Sequence, residues 1–353
     1  MKAKTPRILL IGNMGYVGPV VAAHLREVFP HATLCGFDTG FFAGCLMDHS
    51  DFPERLLDRQ YFGDVRKFPA EILKEFDAIV ALAAISNDPM GVKFEKPTAE
   101  INCDAIVAIA KEAKKAGVKS FVFASSCSVY GEGGKDAKTE ESAINPLTAY
   151  ARSKVAAEKS LAELASPGFL VTCFRFATAC GWSPRLRLDL VLNDFVASAL
   201  TTGKIQILSD GSPWRPLIHV RDMARAIEWG VTRSRENGGD CVIVNTGSNE
   251  WNFTIRELGQ AVAKELDGIE VSVNDKASPD KRSYRVDFSR YAALAPEHQP
   301  VMTPAATVKE LVSGLRACGF SDADFRNSGL IRLNVLSKSL ERGVVDENLS
   351  YRR

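Results

Sequence analysis

The chain has 353 residues, 46% of them hydrophobic, with 44 Lys and Arg set against 43 Asp and Glu. That apolar content can bury a large core, and the near-cancelled charge excludes a global field drawing the protein to nucleic acid or an anionic membrane. Any phosphate it binds must be held by a local site. Eight cysteines (Cys35, Cys45, Cys103, Cys127, Cys173, Cys180, Cys241, Cys318) form no CxxC pair and no His/Cys cluster at ligand spacing. They predict buried thiols of a reducing compartment and no metal. The opening MKAKTPRILLIG meets Gly12 and Asn13 after a short apolar run, unlike a cleaved leader. The later run Ala78 to Ile85 is far short of the roughly 20 residues a membrane helix needs. These features predict a soluble, cytoplasmic protein with neither a membrane nor a nucleic acid as partner.

The first 180 residues alternate short β-rich runs with amphipathic stretches, the pattern of a doubly wound, Rossmann-type parallel sheet in the α/β class. Strands are expected at Arg7 to Gly12, Thr33 to Asp38, Tyr61 to Asp64, Ala78 to Ala84, Ser120 to Ser126 and Phe169 to Phe176. Helical patterns fall at Gly18 to Phe29, Pro69 to Phe76, Thr98 to Ala116 and Pro146 to Ala165. The last of these has Asn145 as N-cap, Pro146 at the first helical position and Ser166-Pro167-Gly168 as stop. After Gly181 the alternation fails, and loops such as GWSPRLRLD, SDGSPWRP and SPDKRSYR separate shorter elements. A smaller, mixed α/β domain is expected over 181–353, beside a dinucleotide-binding domain over 1–180. The helix Val220 to Thr232 and strand Cys241 to Gly247 would return to the first domain, making the boundary discontinuous. The stretch Gly131 to Lys135 reads as a mobile loop, and the charged helical tail Asp322 to Arg353 has no evident chemical role.

The first strand runs into Gly12-Asn13-Met14-Gly15-Tyr16-Val17-Gly18 and then a helix. Glycines there permit a tight turn, let a diphosphate approach the backbone, and place it at a helix N-terminus that favours negative charge. Asp38 ends the second strand about 20 residues further on, where a carboxylate binds the adenosine ribose and repels the extra phosphate of NADP. Thr39 and Gly40 bring no compensating arginine, so NAD is the expected cofactor. Asp64 and Val65, closing the third strand, would cap the adenine.

Tyr150-Ala-Arg-Ser-Lys154 is placed one turn into the helix predicted from Pro146. Residues four apart share a face, so the Lys154 ammonium can lie beside the Tyr150 phenol. A free tyrosine, titrating near pH ~10, is a poor base at neutrality; neighbouring positive charge favours the phenolate, which can then take a hydroxyl proton as hydride leaves. The fifth strand ends in Ser125-Ser126 and continues Cys127-Ser128-Val129-Tyr130-Gly131, putting hydroxyls at the carboxyl end of a strand, where open α/β sheets bind ligands. Further along, Arg215, Arg185, Arg282 and Arg285 are candidate phosphate forks in irregular loops. His219, in an apolar run, reads as a satisfied core histidine.

In this order and spacing, these motifs resemble the extended branch of the short-chain dehydrogenase/reductase family, and within it the NAD-dependent nucleotide-sugar epimerases and dehydratases, such as the UDP-glucose 4-epimerase-like enzymes. The likeness spans nearly the whole chain through GNMGYVG, Asp38, GDV at Gly63 to Val65, LAA at Leu82 to Ala84, Asn102, SSCSVYG, YARSK, RFATACG at Arg175 to Gly181, and RPLIHVRD at Arg215 to Asp222. It implies a catalytic triad of Ser126, Tyr150 and Lys154, with Lys154 also holding the nicotinamide ribose. It implies cofactor contacts from the glycine loop, Asp38, Asp64, Val65, Leu82, Ala83, Ala84, Asn102, Ser125 and Thr178. The nucleotide-sugar substrate would meet Ser86, Ser126, Ser128, Asn193 and Arg215.

Dehydratases of this family usually carry an acid just before the V-Y-G or L-Y-G turn, where this chain has Cys127-Ser128. Serine there is similar to the 4-epimerases, which implies hydride removal from carbon 4 and its return to the other face through a 4-keto sugar. A 4-ketoreductase or dehydratase on the same scaffold, and a non-catalytic NAD-binding sensor or assembly protein, remain alternatives. The base, the sugar and the carbon attacked are not legible. The Ala- and Ile-rich sides of the helices Thr98 to Ala116 and Pro146 to Ala165 fit the family's four-helix homodimer interface, or burial within one chain.

Overall fold

The computed structural model describes residues 5–352 except 51, 133, 135, 275 and 278–281. Two residues of the 131–135 loop, four of the SPDKRSYR loop and the first four of the chain therefore lie outside the described residues.

The opening run RILLI is buried from its second residue on, as suits a central strand covered on both faces. It is β1 (Arg7–Ile11), followed by β2 (Thr33–Asp38), β3 (Arg59–Phe62), β4 (Ala78–Ala81), β5 (Ser120–Ser126) and β6 (Leu170–Phe176). Six more follow: β7 (Thr178–Cys180), β8 (Lys204–Ile207), β9 (Trp214–His219), β10 (Cys241–Thr246), β11 (Asn252–Thr254) and β12 (Glu270–Val273). The main sheet has the order β10-β6-β5-β4-β1-β2-β3, and its pairings are all parallel.

Alternate residues of these strands feed two separate cores, the period-two consequence of the pleat. Ile8, Leu10, Val80, Val122 and Phe174 pack with helices Gly18–Val28 and Val220–Thr232. Leu9, Ile11, Ile79, Phe121 and Phe123 pack with helices Ile106–Ala116 and Ala149–Leu164. The Ile106, Ile109 and Ala157 sides of those last two helices are spent on this second core, so burial within one chain accounts for the apolar pattern. The smaller lobe holds β7, β9 and β11 as one sheet, β8 and β12 as another, and helices Val191–Thr202, Ile255–Lys264 and Pro304–Ala317. The chain leaves after β6 and comes back through helix Val220–Thr232 to β10, which pairs with β6.

Several expected boundaries move. The third strand lies two residues earlier because Cys35 to Asp38 pair with Arg59 to Phe62; Asp64 is left to cap the short turn after it, accepting from the Arg66 N–H at 2.9 Å. β4 ends at Ala81, and residues 82–87 run over its end as irregular wall. The stretch Ala70–Glu75 is a 3-10 helix. A π-turn, Glu100–Ala105, interrupts the helix predicted from Thr98. There the buried Asn102 donates to Ile85 O at 3.0 Å and accepts from Ile85 N–H at 2.8 Å. The helix predicted from Pro146 starts at Ala149, since the Thr148 hydroxyl, accepting from Ala151 N–H, is the cap actually used. Leu147 and Thr148 instead line the cleft. Tyr150 thus sits in the first turn.

Candidate active site

A cleft of about 610 Å³ opens across the carboxyl ends of β1, β2, β4 and β5 and is closed by the smaller lobe. Gly12 has φ +89, and a Cβ there would lie 2.4 Å from Ala83 N, so only glycine lets β1 turn beneath the exit of β4. A Cβ on Gly18 would lie 2.2 Å from Asn13 O, which keeps the loop folded tightly on the helix start. No side chain caps that start, leaving its backbone N–H groups to a ligand.

Asp38 accepts from the loop's Met14 N–H at 3.0 Å and from Gly40 N–H at 2.8 Å. Burial pushes its carboxyl above the ordinary carboxylate value, and those two bonds pull it back. Gly12, Gly15, Tyr16, Val17, Gly18, Asp38, Asp64, Val65, Leu82, Ala83, Ala84, Ser125 and Thr178 all line the cleft. A glycine cradle at a helix N-terminus, with a ribose-type carboxylate beside it, fits a dinucleotide.

Tyr150, Ser126 and Lys154 meet on the same wall. Ser126 lies near enough to the phenol to favour its ionised form and accepts from Ser128 N–H at 3.1 Å. The Lys154 ammonium donates to Ala124 O at 2.7 Å and lies 5.6 Å from the Tyr150 ring centre and 4.6 Å from that of Phe123. Burial pushes the phenol up to about 12, opposed by Ser126 and by the charge of Arg187. Burial pulls the Lys154 ammonium down to about 7, with Glu158 holding it up. Burial thus outweighs the lowering that neighbouring groups of the chain exert on this tyrosine.

Of the residues expected to meet the substrate, Ser86, Ser128, Arg215 and Arg282 line the cleft. The Ser128 hydroxyl is buried and has no hydrogen-bond partner. Arg282 pairs with Asp88 at 2.5 Å, and the Arg215 guanidinium lies 5.7 Å from the centre of the buried Tyr284 ring.

Six expected contacts are not on the cleft wall. Asn13 is 2% exposed and donates to Gln60 at 2.7 Å; Met14 contributes its backbone to Asp38. Asn102 is turned onto Ile85 and Ser153. Asn193 joins the lobes by bonding the Tyr16 hydroxyl, Gly181 N–H and Arg187 O. Arg185 is a buried fork on Glu54, at 2.6 and 3.0 Å. Arg285 is exposed and stacks on Trp214 at 4.8 Å. His219 is fully buried and its ring bonds Glu310 at 2.6 Å.

Other wall residues escaped sequence reasoning. Arg187 grips Asp189 through two bonds of 2.9 Å and donates to Ser86 at 2.8 Å. Its signal was the charged pair inside the apolar run LRLDLVL, where isolated charges need partners. Arg332, from the tail, also lines the cleft. Arg66 pairs with Asp64 and donates to Asn348 O and Leu349 O, so the tail braces the cleft wall there. No metal-ligand cluster and no membrane-length apolar helix occur among the described residues. All eight cysteines are free; Cys103, Cys241 and Cys318 are only half-buried, unlike the other five.

The sequence profile of the NAD dependent epimerase/dehydratase family matches residues 8–247. A UDP-glucose 4-epimerase of Streptomyces lividans is 28% identical over 276 residues, 73% of this chain and 80% of that protein. Among solved structures, the UDP-glucose-4-epimerase of Stenotrophomonas maltophila, with bound NAD and formylated UDP-arabinopyranose, superposes with a TM-score of 0.75 at 20% identity, covering 90% of this chain and all of that one. An NAD-dependent NDP-hexosamine 5,6-dehydratase of tunicamycin biosynthesis gives the same TM-score and identity, over 91% of this chain and 100% of its own. Epimerase and dehydratase thus share the scaffold equally, and the fold alone does not separate them. With two thirds of its length matched by the family profile, and with the glycine cradle and Asp38 that such a cofactor requires, this chain belongs to the NAD-dependent epimerase/dehydratase family and its cofactor is NAD.

Proposed function

We propose that the protein is a nucleotide-sugar epimerase acting at carbon 4 of the hexose. The observation that carries this reading is the meeting of Tyr150, Ser126 and Lys154 on one wall of the cleft whose far end is Asp38. NAD, when bound, supplies the hydride acceptor and a positively charged ring. Tyr150 takes the proton of the 4-hydroxyl as hydride leaves carbon 4, and returns a proton when hydride comes back to the other face. Ser126 holds the reacting oxygen beside the phenol. Lys154 holds the nicotinamide ribose, and its ammonium stabilises the phenolate that burial otherwise disfavours.

The turn after β5 supports epimerisation over water elimination. Cys127 faces away from the cleft, its thiol donating to Arg175 O at 3.0 Å, and Ser128 offers a hydroxyl, not an acid. The carboxylates near the reacting end, Asp88 and Asp189, are each held by an arginine. The unpartnered Ser128 hydroxyl suits a sugar hydroxyl, and Arg215 suits the substrate's diphosphate. A homodimer through helices Ile106–Ala116 and Ala149–Leu164 belongs to the same reading, supported by the small Ala108 and Ala156 on their exposed sides; a monomer in sedimentation at micromolar concentration would remove it.

Incubation with UDP-, GDP-, CDP- and dTDP-hexoses tests the reaction. Interconversion of C4 epimers with no net change in NADH supports it. Net consumption of reduced cofactor, or release of a dehydrated keto-sugar, would overturn it in favour of a reductase or dehydratase.

A further inference from the structure

Arg332 begins the helix Arg332–Glu341, far along the chain from the cofactor domain, yet it lines the cleft while only 1% exposed. Three arginines belong to this region, Arg187 and Arg332 on the wall itself and Arg185 off it. Arg185 is neutralised by Glu54 and Arg187 by Asp189. Arg332 has no carboxylate partner among the described residues: it donates to Arg185 O at 2.7 Å and Gly329 O at 3.4 Å, and lies 5.2 Å from the centre of the Phe42 ring. A buried guanidinium with no carboxylate in contact is costly; its two neighbouring arginines add to that cost, and the charge of Asp189, already paired with Arg187, offsets part of it. An anion in the cleft removes that cost.

Its neighbours show where the anion would lie. Arg332 donates to Arg185 O, the Arg185 N–H donates to the Ser183 hydroxyl at 3.3 Å, and that hydroxyl donates to Tyr16 O of the glycine loop at 2.6 Å. Arg187 is tied to the same loop, because Asn193 donates both to Arg187 O and to the Tyr16 hydroxyl. In a bound dinucleotide, the group over the glycine loop is the diphosphate.

We propose that Arg332 is a direct contact for the cofactor's diphosphate, delivered by the C-terminal segment to face the backbone N–H groups of the glycine loop. This rests on the assignment of the cleft to NAD. The diphosphate would then be gripped from two sides, by backbone dipoles and by a charged fork.

The test measures binding of NAD, ADP-ribose, adenosine and UDP to the full chain and to its Arg332→Met and Arg332→Lys variants. Losing one charge-assisted contact should weaken NAD and ADP-ribose on the order of tenfold to a hundredfold in Arg332→Met, with part of the loss recovered in Arg332→Lys. Adenosine should change by less than about twofold, because it lacks the diphosphate, and the salt dependence of NAD binding should become shallower. Unchanged NAD affinity in a folded Arg332→Met variant overturns the proposal, as does an equal loss for adenosine. A loss for UDP alone also overturns it, moving the arginine to the substrate's diphosphate. Should Arg332→Met not fold, the Lys variant decides: wild-type affinity for adenosine with weakened ADP-ribose supports the contact, and equal changes in both overturn it. A wild-type chain that takes up no NAD would defeat the cofactor assignment itself, a different result from a variant that binds NAD as well as the parent.

Discussion

Glu158 lies one helical turn beyond Lys154 and is the buried anion that sustains the lysine's positive charge against desolvation. The same carboxylate accepts from Ser125 Oγ at 2.5 Å and pairs with Arg175 at 2.8 Å; Arg175 in turn donates to the Tyr130 hydroxyl at 3.1 Å. Glu158→Gln removes the charge while keeping the shape. It should leave Arg175 buried without a counter-charge and cost about 3–5 kcal/mol of stability, read by urea unfolding. It should also move the alkaline limb of the kcat/KM profile to lower pH, because the lysine releases its proton more easily. A purely structural role would destabilise the protein without moving that limb.

Lys154 itself predicts a pH dependence in the cofactor-free protein. Its folded value is lowered to about 7 from an ordinary 10.5, so between those limits the unfolded chain binds the extra proton. Stability from this group is therefore fully present above the unfolded value, and is lost as pH falls toward the folded one. Between about pH 7 and 10, stability should rise more steeply in wild type than in Lys154→Met, measured by thermal unfolding without NAD. Parallel slopes would contradict the burial of a charged lysine here.

Tyr150→Phe keeps the ring and removes the proposed proton carrier. Turnover should fall by about 10²–10⁴-fold, the range of general acid–base catalysis, while NAD affinity stays within about twofold. Ser126→Ala should fall less, since the phenol survives it. Undiminished biological activity in Tyr150→Phe would point to a non-catalytic NAD-binding role.

For Ser128→Ala the structure predicts a split between stability and binding. The hydroxyl has no partner, so its removal should leave thermal stability unchanged or slightly raised. If it meets a sugar hydroxyl, KM for the nucleotide sugar should rise on the order of tenfold with NAD binding unaltered. An unchanged KM for every sugar tried would remove Ser128 from the substrate site.

Asp38 is the residue expected to set the choice of dinucleotide. Asp38→Asn should narrow the preference for NAD over NADP by at least about tenfold, as the repulsion of a 2′-phosphate disappears. Competitive binding of the two cofactors measures this directly.

The Rossmann half and the Tyr150–Lys154 pair were legible in the sequence because both follow short-range rules. Strand periodicity, a glycine loop and a four-residue helical spacing are local. The helix start was misplaced because two caps competed, and Thr148 prevailed over Asn145. Arg185 was read as a phosphate fork because its partner Glu54 stands 131 residues away, a pairing no local pattern reveals. Asn102 and Asn193 drew attention as polar residues in family motifs, yet both act by satisfying buried backbone or hydroxyl groups of the site's frame. The tail seemed without role for the same long-range reason: Leu336, Val345 and Leu349 are buried in the core of the first half.

Because β10 reaches its place beside β6 only after the chain has made its excursion through residues 177–240, vectorial synthesis presents a hazard to this fold. Until Thr246 emerges from the ribosome, Leu170–Phe176 has one open side, an apolar edge able to recruit a strand from another nascent chain. A fragment ending near residue 180 would keep the glycine loop, Ser126, Tyr150 and Lys154, and for that edge alone it is expected to aggregate.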